Sequence, residues 1–355
     1  MDRGGSDPAV ALRSWLIEQG VDPDATDPLA HAVAGFGSDL VLSTDSVLSA
    51  RDLAERSGLP LAKVVAIFHD LGVAVPDLDA PQFGDVDLRF VGSVFRAGDL
   101  GSGVGITQGD ALLRVVAGAM ERIAEAAVAV YVQGPEEQLR RRWATVFDCA
   151  SANLQATQLA LEFSEGFGAV FRHHMRQAVA RQRVIQEGVT SRDLARVAIG
   201  FVDLVGSTAL QAGLDPAALG AQVSRFEARA FNVIAAGGGR LVKFIGDEIM
   251  VAAVDPAAGV RIVGDLVDAF TEDGTQPRGG LVFGEVLFRH GDYYGPMVNL
   301  AARLVDAAIP GEALVDRSVV EALKDDDDLT FDAAGRRMLK GFDEPITVWS
   351  LAPRR

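Results

Sequence analysis

Up to about residue 190 the hydrophobic positions recur at helical spacing. Asp7–Gln19 sets Val10, Leu12, Trp15 and Leu16 on a loosely amphipathic pattern that Gly20 ends. Leu112, Val115, Val116, Met120, Ile123, Ala127 and Tyr131 recur at three and four, which predicts a core-facing helix. Residues 136–187 continue in the same manner, with Trp143, Phe147, Leu154, Leu159, Phe163 and Phe167 leading to Ile185. Ala150, Ala152, Ala156 and Ala160 suit close helix packing. Strand signals are nearly missing here, so residues 1–190 read as an all-α domain.

From Arg192 the period changes. Val197–Val202 is a short buried-type run that stops at Asp203. Asp215-Pro216 is a cap followed by a favoured first-turn residue, and predicts a helix to about Ala236. Gly237-Gly238-Gly239 stops it. Arg240–Ile245 and Glu248–Val254 read as strands joined by a tight Gly246-Asp247 turn. A helix near Ala257–Phe270 follows, then a hairpin around Gly280–Tyr294 and a helix from Pro296 to Ala308. A short strand, a polar tip at Asp325–Asp328 and strands near Leu329–Phe331 and Ile346–Leu351 complete the pattern. The central β-α-β-β-α-β order predicts a ferredoxin-like α+β domain over 191–355. The boundary falls near Glu187–Arg192, where Gly188 and Thr190 interrupt the helical pattern.

Composition adds exclusions. The net charge is −16, divided as −9 in residues 1–190 and −7 in 191–355. Neither half has the basic surface that displaces counterions from phosphates, so no nucleic-acid partner is expected. One cysteine, Cys149, excludes an internal disulfide and a cysteine-built zinc site. Ala111–Gln133, the most apolar stretch, holds Arg114, Glu121, Arg122 and Glu125, so no transmembrane segment is expected. The first residues lack the basic-then-apolar pattern of a secretory signal, and a cytoplasmic protein is the expectation.

Candidate chemistry gathers at strand ends. Asp203 closes a buried strand and runs into Gly206, Ser207 and Thr208, a turn whose backbone can cradle an anion. Asp247 sits at a hairpin tip, which a ferredoxin-like order places beside Asp203. Two carboxylates next to a phosphate-cradling turn suit two Mg²⁺ ions, which prefer oxygen ligands shared with substrate phosphates. Taken singly, each aspartate reads more readily as a strand-end cap or turn residue.

Four stretches in order give a more specific pointer: Phe201–Thr208, Gly238–Asp247, Gly291–Arg303 and Leu339-Lys340-Gly341. Together they resemble the catalytic domain of the class III nucleotide cyclases over residues 192–353. The resemblance implies that Asp203 and Asp247 bind two metal ions, Mg²⁺ or Mn²⁺. It implies that Lys243 and Asp292 read the purine edge, that Asn299 and Arg303 position the ribose and stabilise the transition state, and that Lys340 touches the terminal phosphates. A lysine donor with a carboxylate acceptor complements adenine, whereas guanine offers the reverse pattern, so ATP is the expected substrate. Asn299 and Arg303 lie four apart on one helix face and can reach one phosphate. In the family one subunit supplies the two aspartates and its partner the purine readers, the asparagine and the arginine. This chain has both sets, which implies a homodimer with two shared sites.

Ser49–Pro76 reads as helix, Gly58 turn and helix, like a helix-turn-helix. A DNA reader needs a basic recognition helix, and residues 60–70 offer Lys63 beside His69 and Asp70, so a packing motif is the expectation. The N-terminal half resembles in pattern the helical regulatory domain of some actinobacterial cyclases, which implies a proton or fatty-acid effector. His173 and His174, between Arg172 and Arg176, are the candidate pH-sensing residues on the helix leading into the second half. His290 precedes Asp292 by two residues and is placed to touch the site, while His31 and His69 read as structural. Two other functions compete. A diguanylate cyclase would need a Gly-Gly-Asp/Glu-Glu-Phe hairpin where this chain has Phe244-Ile245-Gly246-Asp247-Glu248-Ile249. A non-catalytic regulator would typically lack a metal aspartate or the arginine, and both are present.

Overall fold

A computed structural model describes residues 8–25, 36–42, 46–100, 107–136, 138–139, 144–185, 194–206 and 213–352. The chain forms two compact units, Met1–Arg172 and His173–Arg355. The division falls inside a helix, whereas the sequence boundary at Glu187–Arg192 lies outside the described residues.

The first unit is helical: α1 (Pro8–Glu18), α2 (Phe36–Leu42), α3 (Ala50–Ser57), α4 (Leu61–Asp70), α5 (Asp85–Leu100), α6 (Thr107–Tyr131) and α7 (Val146–Glu165). Ser49 and Thr145 start α3 and α7 with reciprocal capping boxes to Asp52 and Asp148. Leu12 and Leu16 of α1 pack with Val146, Ala150 and Leu154 of α7. Gly37 of α2 lies so close to α7 that an added Cβ would meet the Ala150 carbonyl oxygen at 2.2 Å. The helix-turn-helix-like pair is present as α3 and α4, and its apolar residues Leu53, Val64, Ile67 and Phe68 join a core with Phe83, Val91 and Leu113. Lys63 lies over the Phe95 ring of α5 at 5.3 Å.

The expected core stripe of α6 is corrected. Leu112, Val115, Met120 and Ile123 are exposed, while Ala111, Leu113 and Tyr131 are buried. At about 1.5 Å per residue the helix outruns its supporting core. Leu113 anchors its start on the α3–α4 core, and the Tyr131 hydroxyl anchors its end by donating to the Cys149 carbonyl at 3.3 Å. The continuous helical pattern of 136–187 is also divided. A π-helical turn (Val132–Glu136) ends α6, and Gly166 separates α7 from α8 (Phe167–Ile185).

The second unit is built on β1 (Leu194–Leu204), α9 (Pro216–Ala236), β2 (Arg240–Ile245), β3 (Glu248–Ala253), α10 (Pro256–Glu272), β4 (Pro277–Arg289), β5 (Asp292–Tyr294), α11 (Pro296–Ala307), β6 (Ala313–Asp316), α12 (Arg317–Ala322), β7 (Phe331–Arg337) and β8 (Ile346–Leu351). The sheet order is β2-β3-β1-β4-β6-β8-β7, with β5 paired to β4. Among its first four strands each neighbouring pair is antiparallel, in the order of a ferredoxin-like core, as expected. Asp215 and Asp255 cap α9 and α10 by accepting from backbone amides in the first turn. Those two helices cover one sheet face, α9 through Ala230 and Ile234 and α10 through Val263, Leu266 and Phe270.

The opposite face packs Ile199, Phe201 and Val282 against Leu300, Ala301 and Leu304 of α11, and the buried end of α8, Ile185, joins this core. Gly280 makes the seat for α11: a Cβ there would meet the Ala301 oxygen at 2.7 Å and the Val305 nitrogen at 2.8 Å. One strand starts later than its sequence pattern predicts. The expected strand at Leu329–Phe331 runs from Phe331 to Arg337, because Ala333, Ala334 and a register shift before Gly335 hide its alternation. Among the described residues no helix is long and apolar enough to cross a membrane.

Candidate active site

Asp203 continues the odd-numbered series Val197, Ile199 and Phe201 of β1, so it points to the face that α11 covers. It lies one residue past the Val202–Ile249 pair with β3, beside the two-residue Gly246-Asp247 turn of the β2–β3 hairpin. Gly246 has φ 65, the left-handed geometry that glycine adopts freely. The hairpin therefore brings Asp247 to the end of β1, as the sequence order required.

Directly opposite on β4 stands Arg278, in register with Asp203. Its Nε and Nη2 donate to Asp203 Oδ2 at 2.9 and 2.7 Å, and its Nη1 donates to the Asp306 carbonyl at 3.2 Å. Sequence reasoning missed Arg278, since nothing but the β1–β4 register brings it to Asp203. Glu248, next to Asp247, reports the local charge. Burial, then the carboxylates of Asp203, Asp306 and Asp247, push its carboxyl up to about 7, with Arg278 pulling the other way. Such crowding of negative charge is what an oxygen-seeking divalent cation relieves. Among the described residues no group of three or more His, Cys, Asp or Glu side chains forms a complete metal cage. Two neighbouring carboxylates fit an ion that takes its other ligands from water and substrate phosphate.

Lys243 and Asp292, far apart in sequence, meet. Lys243 Nζ lies 2.5 Å from Asp292 Oδ2, and Asp292 Oδ1 accepts from the Tyr293 amide at 2.8 Å. Lys243 pairs with Met250, whose side chain belongs to the same face as Asp203. One sheet face thus carries both sets.

Asn299 and Arg303 lie on α11, which Gly295 and Pro296 open. Leu300, Ala301, Leu304 and Val305 bury the other side of that helix, leaving Asn299 exposed. Arg303 Nη1 meets Asp306 Oδ2 at 2.6 Å. Asp306 therefore contacts Arg303 through its carboxylate and Arg278 through its carbonyl, a second participant that the motif reading did not single out.

The remaining candidates are more dispersed. Gly206, with φ 79, closes the turn after β1, while Ser207 and Thr208 lie outside the described residues. Lys340 is exposed between buried Leu339 and Gly341, whose φ is 89. His290 forms the β4–β5 turn with Gly291 and is exposed. His173 and His174 are exposed on α8, away from any core, and His31 lies outside the described residues.

No protein-family model matches the chain. An uncharacterized protein of Mycobacterium tuberculosis (strain H37Rv) is 37% identical over 327 residues, 89% of this chain and 82% of that protein. A pH-sensitive adenylate cyclase of Mycobacterium tuberculosis (strain CDC 1551) is 30% identical over 353 residues, 96% of this chain and 87% of that protein. Among solved structures, the adenylyl cyclase CyaB from P. aeruginosa matches 46% of this chain and 96% of its own, at 24% identity and a TM-score of 0.40.

Proposed function

The chain belongs to the class III adenylate cyclases, and on that premise we propose how its own residues turn ATP into 3′,5′-cyclic AMP and pyrophosphate. Residues 191–355 are the catalytic domain and residues 1–190 its regulator. Asp203 and Asp247 would hold two Mg²⁺ or Mn²⁺ ions, which supply a more acidic ribose 3′-hydroxyl and neutralise the triphosphate. Gly206, with Ser207 and Thr208, takes phosphate oxygens on backbone amides. Lys243 donates to adenine N1 and Asp292 accepts from the exocyclic amine. Their 2.5 Å ion pair keeps donor and acceptor side by side before the base arrives.

Asn299 orients the ribose. Arg303 donates charge-assisted hydrogen bonds to the oxygens that gain charge as the 3′-oxygen attacks the α-phosphorus in line, and Lys340 takes the terminal phosphates. Two copies of the chain make two reciprocal sites. One copy supplies Asp203 and Asp247, its partner Lys243, Asp292, Asn299 and Arg303. The observation that carries this reading is the Lys243–Asp292 pair on the same sheet face as Asp203. Its donor and acceptor are the complement of adenine.

The regulator takes a proton or a fatty acid as input, and the likeness to a cyclase named pH-sensitive supports the proton. His173 and His174, exposed on α8 just before the catalytic domain, are the candidate proton acceptors. The test is full-length protein with Mn²⁺ and either ATP or GTP across about pH 5.5–8, the span in which histidine changes charge, with product identified as cyclic nucleotide. Cyclic AMP from ATP, with little product from GTP, is the expected result. A pH profile flattened by His173→Ala/His174→Ala is expected with it, and an unaltered profile removes the histidines from the account. ATP bound but never cyclised would make the chain a nucleotide-binding regulator instead.

A further inference from the structure

The strand that carries Lys243 contains a β-bulge. In β2, Arg240 pairs with Ala252 and Leu241 with Val251, but Lys243 pairs with Met250, leaving Val242 as an extra residue. In a regular strand, side chains three positions apart point to opposite faces. The extra residue instead sets Arg240 and Lys243 opposite Ala252 and Met250, which are two apart on β3 and face the same way. Ala252 and Met250 share a core with Tyr293 of the β4–β5 hairpin. The bulge therefore aims both cations of β2 at the hairpin that carries Asp292.

Arg240 is held there by four contacts. Its Nη2 donates to the Gly291 carbonyl, and its Nη1 donates to the Tyr293 hydroxyl at 3.4 Å. The guanidinium lies 5.8 Å from the Phe288 ring centroid and 5.4 Å from that of Tyr293. Gly291 and Tyr293 flank Asp292, so Arg240 grips the chain on both sides of that carboxylate without touching it.

The hairpin needs such a grip. Its two-residue turn places His290 at φ 54 and Gly291 at φ 79, and His290 is the one non-glycine residue with positive φ among the described residues. Left-handed geometry at a histidine is strained, and the exposed turn has no core of its own to hold it.

We propose that Arg240 is a positioning residue for base selection: it locks Asp292 at the register where Asp292 and Lys243 together read adenine. The proposal rests on the reading of Lys243 and Asp292 as the base-recognising pair. Arg240 acts through the hairpin, leaving Asp203, Asp247 and the phosphate-side groups untouched. Its loss therefore loosens the choice of base while the chemical step persists.

The test assays full-length Arg240→Met and Arg240→Lys with ATP and GTP, beside Lys243→Ala, with a thermal midpoint for each. For Arg240→Met the KM for ATP should rise about tenfold with kcat within about threefold of the parent. The ATP-over-GTP ratio of kcat/KM should fall about tenfold. Arg240→Lys keeps a charge over the two rings but cannot fork to the Gly291 carbonyl and the Tyr293 hydroxyl, so it should fall between. If Arg240→Met is too unstable to assay, the lysine variant decides by the same criterion. Unchanged selectivity in the Arg240 variants, with selectivity shifted in Lys243→Ala, overturns the proposal and leaves the base-reading pair standing. A lowered kcat or thermal midpoint with selectivity intact also overturns it, since Arg240 is then a structural clamp. If Lys243→Ala leaves selectivity unchanged, the base-reading pair itself fails.

Discussion

Asp203→Ala should lower kcat for cyclic AMP formation by at least about a thousandfold, with a smaller change in ATP affinity. The aspartate ends β1 on the sheet face that α11 covers, opposite Arg278 and beside the turn that carries Asp247. Removing it takes away one of the two carboxylates proposed to hold the ions and leaves the Arg278 guanidinium without its 2.7 Å partner. Two results separate those losses. Arg278→Ala spares both carboxylates, so Mn²⁺ should still raise its thermal midpoint, whereas Asp203→Ala should lose that shift. A Mn²⁺-dependent shift that survives Asp203→Ala would take this carboxylate out of the metal site.

The second large effect is at Arg303. Arg303→Ala should lower kcat about a hundred- to a thousandfold, the range found when one donor to a developing oxyanion is lost. KM for ATP should change little, since the role proposed for the arginine is to bond oxygens as their charge develops. In the free chain Arg303 is occupied by Asp306 at 2.6 Å, an exposed ion pair of small stabilising value. Arg303→Ala should therefore leave the thermal midpoint close to that of the parent. A comparable loss of stability and activity would instead place Arg303 among the residues that hold α11 in place.

Much of the site was legible because its residues sit where local chemistry is punctuated. Asp215-Pro216 announces a helix start, Gly246-Asp247 a two-residue turn, and Gly295-Pro296 the start of α11. What stayed hidden depends on long-range register. Arg278 reaches Asp203 only because β1 and β4 pair as they do, and Arg240 shares a side with Lys243 only through an extra residue in β2. The stripe on α6 misled for a different reason. The helix is apolar on several sides, so periodicity marked a core face where the folded chain buries Leu113 and Tyr131 at its two ends. The pattern hides most of β7 because Ala333, Ala334 and Gly335 give little alternation.

We propose that two copies of this chain complete each other's active site. Mixing purified Asp203→Ala with purified Arg303→Ala tests it directly, with cyclic AMP as the readout. In a mixed dimer one site carries both lesions and the other carries neither. Random pairing should then restore about a quarter of the parent activity from two proteins that are inactive alone. A mixture that stays inactive after subunit exchange has been demonstrated would contradict the shared site and return the whole chemistry to a single chain.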